Sequence, residues 1–207
     1  MTDPITIEVT RHKLEGIANE MQSTLLRSSF SPIVKEGLDA SAGLFTADGQ
    51  TLAQACAIPI HLATLIPVLR KIIETFPPDR MHPDDTFLLN DPYTGGTHLP
   101  DIAIVQPIIH QGRLIAFSAA MTHHQDMGGM SAGSVPTNAT EIYQEGLRLP
   151  PLKFRARAWS TTRWSASSGR TCASPTLSWA TSTRSLPPAA SARDASANSQ
   201  TATATTR

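Results

Sequence analysis

Two cysteines, Cys56 and Cys172, are all that occur in 207 residues. That is too few for a disulfide framework and fits a reducing compartment, so a cytoplasmic location is expected. No apolar run reaches the ~18 residues that a membrane-spanning helix needs. The opening MTDPITIEVT lacks a basic region followed by an apolar stretch, so no secretory leader and no membrane association are expected. A G-x-x-x-x-G-K-[ST] loop is also missing, and nothing suggests that this chain binds ATP itself. Net charge is zero, but unevenly spread. Residues 1–154 carry 10 Lys+Arg against 16 Asp+Glu, which argues against a nucleic-acid partner. Residues 155–207 carry seven Arg, no Lys and a single acidic residue, Asp194.

What is present is concentrated between Leu88 and Met130, which hold four of the seven histidines. Ile102–Ile109 and Leu114–Met121 are apolar runs joined by His110-Gln111-Gly112-Arg113, and they read as a β-hairpin. Both runs are apolar on both faces, so the hairpin is expected to be buried, with Pro107 at an edge position or a bulge. A hairpin brings its open ends together. With three loop residues Asp101 lies opposite His123; with two it lies opposite Thr122, and His124 becomes its diagonal neighbour. The residues alone leave that choice open. Either register sets a carboxylate beside an imidazole, and His98-x-x-Asp101 adds a second imidazole. Two histidines and a carboxylate are a usual donor set for Mn, Fe or Zn with positions left for water or substrate.

The rest of residues 1–154 reads as α+β, with mixed helices and antiparallel hairpins. Apolar spacing predicts a helix over Thr10–Ser28, limited by Pro32. Asp48-Gly49 predicts a hairpin between Leu38–Phe45 and Thr51–Ile58, with Asp39 opening its first strand. A second helix is predicted over Leu62–Phe76, with Pro67 in its first turn or kinking it, and a short strand over Thr86–Leu89. Tyr93–Thr97 reads as a turn that frees His98. His61 reads equally well as a pocket-wall residue or as a hydrogen-bonded core histidine.

Four stretches in order, KEGLDASAGLF, IPIHLATL, LLNDPYTGGTHLPDIAIV and THHQDMGGM, resemble the N-terminal part of hydantoinase B/oxoprolinase proteins. The resemblance runs from about Ile5 to Phe154. It implies one divalent metal ion (Mn, Zn or Fe) held by Asp39, His98, Asp101 and His123. His124 and Asp126 then become candidates for orienting those ligands or for catalytic proton transfer. It further implies a hetero-oligomeric hydrolase of cyclic amides, acting on hydantoin or 5-oxoproline-like rings. A partner A-type subunit would use ATP to phosphorylate the amide oxygen, and the metal would activate water. The runner-up is a subunit of an acetone or acetophenone carboxylase. A non-heme iron oxygenase and a non-catalytic interaction module are further alternatives from the donor set alone.

From Arg155 the sequence leaves that pattern. Ala, Ser and Thr make up 33 of the last 53 residues, and Ile, Val, Phe, Tyr, Lys and Glu are absent, yet Trp159, Trp164 and Trp179 are present. A low-complexity, disordered tail is the plain expectation. A single frame offset over GC-rich codons, however, lets CASPTLSWATSTRSLPPAA read as VRVPDTVMGDLNAQLAACR, which has the look of the family's downstream sequence. The expected organisation is therefore a hydantoinase B-like N-terminal region, 1–154, followed by a low-complexity, frame-shifted tail, 155–207, with a non-catalytic truncated product as a further alternative to the enzyme subunit.

Overall fold

The computed structural model describes residues 3–155, so the expectations of disorder and of a shifted frame fall, from residue 156 onward, outside the described residues. Helix α1 spans Pro4–Ser28; Asp3 caps it, its side chain accepting from the Thr6 N–H, and Pro4 takes the first position. It therefore begins six residues before the apolar spacing predicts. Ile5, Ile7 and Val9 are exposed, so this first part buries no stripe for periodicity to detect. A single turn, α2 (Pro32–Lys35), follows. Strands β1 (Ala40–Thr46) and β2 (Thr51–Gln54) form the Asp-Gly hairpin. Helix α3 spans Pro59–Thr75, again with proline at its start. This corrects the predicted start at Leu62: Pro67 lies well inside the helix, and His61 falls in the first turn. Strands β3 (Thr86–Leu89), β4 (Asp101–His110), β5 (Arg113–His123) and β6 (Leu152–Arg155) complete the order.

All six strands join one antiparallel sheet in the order β2-β1-β5-β4-β3-β6. The predicted hairpin, β4–β5, occupies its centre. Alternate residues face opposite sides. On one side Phe45, Phe87, Ala103, Val105, Phe117, Ala119 and Met121 pack with Leu65, Val68, Leu69 and Ile72 of α3. On the other, Leu44, Ala53 and Ile108 pack with Leu14, Ile17, Ala18 and Met21 of α1. Helices cover both faces, which is why β4 and β5 read as apolar throughout rather than alternating. Phe45, Phe87 and Phe117 are among the largest fully buried side chains, and each would cost about 3–5 kcal/mol on truncation to alanine.

The hairpin register needs two features at once. Its turn is two residues, Gln111 and Gly112, both with positive φ (49° and 76°), as an inward-twisting tight turn requires. Two residues alone would set Asp101 opposite Thr122. The pairing instead shifts by one between Ile108↔Ala116 and Ile109↔Leu114, leaving Ile115 as an extra, bulged residue that points out and is 51% exposed. The shift brings Asp101 opposite His123. Pro107 sits in an interior strand but beyond the last β3–β4 pair, Phe87↔Val105, and one residue before the bulge, so its missing N–H disrupts no β3 pairing.

Candidate metal centre

The register decides which side chains meet. Ser41, Asp101 and His123 share the parity of the α3-facing core residues, so they project toward the first turn of α3 at one end of the sheet. Asp39 precedes β1. Leu38 before it holds a left-handed backbone (φ 57°), an unusual conformation for a branched residue, and the Asp39 carbonyl accepts from the His123 N–H at 3.1 Å. His98 arrives on the Pro92–Thr97 turn. That turn must be glycine-rich: a Cβ on Gly95 would lie 3.0 Å from the Pro67 backbone of α3, and one on Gly96 would lie 2.7 Å from the Asn90 carbonyl oxygen.

Among the described residues two groups of three donors result, each with ligand atoms within 4.8 Å of one another: His98, Asp101 and His123, and Asp39, His61 and Asp101. Asp101 belongs to both. The four ligands implied by resemblance are thus divided between the groups and joined through its carboxylate. Asp101 is only 3% exposed. Its Oδ2 accepts from Thr97 Oγ1 and lies 3.3 Å from His61 Nε2, while Oδ1 lies 3.3 Å from His98 Nε2. Burial alone would raise its pKa, but the contacts with His61, His98 and Thr97 outweigh burial and hold the carboxyl well below its ordinary range. His98 is raised, chiefly by Asp101. The rings of His98 and His123 meet edge to face, with centroids 5.0 Å apart.

The donor set fits a divalent transition ion. Two buried atoms, Asp101 Oδ1 and His123 Nδ1, accept or donate no hydrogen bond among the described residues, although buried polar atoms nearly always do. Both belong to the same group as His98, whose side chain is 43% exposed and leaves that group open to solvent. Imidazole and carboxylate donors with an open side suit Mn, Fe or Zn.

Of the residues expected near the ligands, His124 is buried on the other face of β5, and its N–H donates to the Pro100 carbonyl at 2.8 Å. Burial, reinforced by the charge of neighbouring His123, lowers its pKa to about 4. Asp126 instead organises its own loop, with its oxygens taken by the Gly128 and Gly133 N–H groups and Ser134 Oγ. Those donors hold its carboxyl below the ordinary range. It belongs to neither donor group. His61, a residue that the sequence left undecided, is 3% exposed and sits in the middle of the second group.

An acid-stability prediction follows from His124. A histidine kept neutral in the fold but protonated when unfolded contributes stability above pH 6.5, and the contribution drains away as pH falls toward about 4. The full effect is about 3 kcal/mol. The denaturant midpoint of wild type should therefore fall relative to that of His124→Gln between pH 7 and pH 4.5, and parallel curves would remove His124 from the acid response. His98 has the opposite sign in the metal-free chain. Its raised pKa adds stability below 6.5 that is lost as pH rises through the folded value.

The hydantoinase B/oxoprolinase family matches residues 3–163. A 5-oxoprolinase of Dictyostelium discoideum is 37% identical over 152 residues, 73% of this chain and 12% of that protein. Caprolactamase subunit beta of Pseudomonas jessenii is 36% identical over 155 residues, 75% of this chain and 26% of that subunit. The crystal structure of the ATP-dependent caprolactamase from the same organism superposes with a TM-score of 0.72 at 31% identity, covering 84% of this chain and 30% of that one. A nucleotide-free acetone carboxylase structure gives the same TM-score at 26% identity, covering 81% of this chain and 22% of that one. This chain therefore spans about a quarter of the caprolactamase subunit and about an eighth of the 5-oxoprolinase. Over the residues that form its sheet, its helices and its cluster of histidines and aspartates, the chain belongs to the hydantoinase B/oxoprolinase family.

Proposed function

We propose that this chain is the metal-holding part of a B-type subunit of an ATP-dependent cyclic-amide hydrolase. The carrying observation is the convergence of His98, Asp101 and His123 on one solvent-open point, with two buried polar atoms there lacking hydrogen bonds. Asp39 joins them through the carboxylate and imidazole contacts of the neighbouring group. Two relatives, a 5-oxoprolinase and an ATP-dependent caprolactamase, support a lactam or hydantoin-like ring as substrate. The designation of one relative as a beta subunit supports an A-type partner, which would be the ATP user.

A divalent ion held there supplies Lewis acidity, activating water or polarising a carbonyl oxygen at neutral pH. The chain's own residues do the rest. Asp101, kept ionised by its neighbours, brings negative charge into a buried place, and His98 and His123 present their rings to the same point. The Gly95-Gly96 turn fixes the approach of His98. His124 and Asp126 remain our candidates for proton handling near the ligands, His124 through its position next to His123 in the chain.

Combination of this chain with an A-type subunit, ATP and a panel of hydantoin, 5-oxoproline and caprolactam tests the reading. Ring opening matched by ADP release, and lost on chelation, is the expected result. Likeness to acetone carboxylase favours one second reading, a carboxylase subunit. Bicarbonate-dependent ATP consumption with acetone, and none with the cyclic amides, would select it. Oxygen uptake without ATP would point to an oxygenase and defeat both.

A further inference from the structure

We infer that His61 is a positioning residue that fixes the two carboxylates, Asp39 and Asp101, between which it lies; the inference rests on the metal-site reading above. Its Nε2 is almost equidistant from them, 3.4 Å from Asp39 Oδ1 and 3.3 Å from Asp101 Oδ2. Carboxylates offer only acceptors, so this nitrogen carries its proton. The other ring nitrogen, Nδ1, lies 3.2 Å from Ser41 Oγ, a fully buried hydroxyl on β1 that sets the rotation of the ring. The backbone position is equally fixed: His61 sits in the first turn of α3, one helical turn before the buried Leu65.

Division of labour on Asp101 follows. Oδ2 accepts from Thr97 Oγ1 and faces the His61 N–H at 3.3 Å, while Oδ1 lies 3.3 Å from His98 Nε2 on the side of the proposed ion. His61 also places an N–H between two anions that would otherwise repel across a buried space. A second ion at the Asp39–His61–Asp101 group is the competing reading. It fits poorly, because three protein donors need water or substrate to complete the shell of a divalent ion. Two of the three here, His61 and Asp101, are almost wholly buried, whereas His98 leaves the other group open to solvent.

The test uses the full 207-residue chain, with Mn²⁺ alone as the probe, and compares wild type with His61→Leu, His61→Gln and Ser41→Ala. Binding is titrated, and the Mn²⁺ electron paramagnetic resonance spectrum is recorded at saturation. His61→Leu is expected to bind one ion about 10–100-fold more weakly, the range for residues that orient ligands, and to give an altered spectrum. His61→Gln, which keeps an N–H donor near the Nε2 position, is expected to recover most of the affinity and the wild-type spectrum. Ser41→Ala is expected to fall between them. Unchanged affinity and spectrum in His61→Leu overturns the inference while leaving the metal site standing, as does a His61→Gln no better than His61→Leu. Two ions in wild type and one in His61→Leu makes His61 a ligand and overturns it in favour of a dinuclear centre. No binding in wild type removes the metal site and this inference together. If His61→Leu does not fold, judged by circular dichroism, His61→Gln and Ser41→Ala decide.

Discussion

Asp101→Asn is expected to lose metal affinity by well over 100-fold, beyond the 10–100-fold range for residues that merely orient ligands. The carboxylate is shared by both donor groups, is 3% exposed, and meets His61, His98 and Thr97 at once. Asparagine keeps the shape but removes the charge and turns one oxygen into a donor facing histidine N–H groups. The fold should suffer too. A carboxyl held below its ordinary range contributes stability above pH 4, and that contribution fades as pH falls through the folded value. The variant should therefore lose stability at pH 7 and show a flatter acid limb. Metal titration with a parallel urea melt at two pH values reads both effects. Wild-type affinity in Asp101→Asn would mean that this carboxylate is not a ligand.

Asn90→Ala should produce the largest loss of stability among single polar substitutions, about 3 kcal/mol or more. Asn90 is fully buried between β3 and the site turn. Its side-chain amide donates to the Leu99 carbonyl (2.7 Å) and the Leu147 carbonyl (2.9 Å), and its oxygen accepts from the Leu149 N–H (2.6 Å). Two segments, the one at Leu99 and the distant one at Leu147–Leu149, are tied to one residue, and alanine leaves their backbone groups without that partner. Leu99 lies between His98 and Asp101, so the same change should loosen the ligands. A urea midpoint within error of wild type would contradict this account, and so would a large stability loss with unaltered metal affinity.

The parts of the fold legible in the sequence are those written in local chemistry. The Asp48-Gly49 hairpin, the β4–β5 hairpin and the stop of α1 before Pro32 all follow from turn residues and apolar runs. The register did not, because it depends on a bulge at Ile115 that no turn residue announces. A two-residue turn and a one-residue bulge together give the pairing that a three-residue loop would have given. Asp39 was silent for a different reason. Nothing local distinguishes it from a solvated acid, and β1 must pair with β5 before it approaches His123; only resemblance singled it out. His61 was obscured by the helix start. Once Pro59 is taken as the first residue of α3, His61, Leu65, Leu69 and Ile72 fall on one buried face at helical spacing, and a histidine on such a face facing two aspartates becomes conspicuous.

Metal content decides the central claim most directly. Wild type, His98→Ala and His124→Ala are loaded with Mn²⁺ or Zn²⁺ at pH 7.5, passed through a desalting column and analysed for metal per chain, preferably with an A-type subunit present. About one ion per chain is expected in wild type, most of it lost in His98→Ala, with His124→Ala reduced far less. Lowering the pH below about 6.5 should release the ion, since ligation needs neutral imidazoles. Equal metal content in wild type and His98→Ala would contradict the account and return these histidines to a purely structural role.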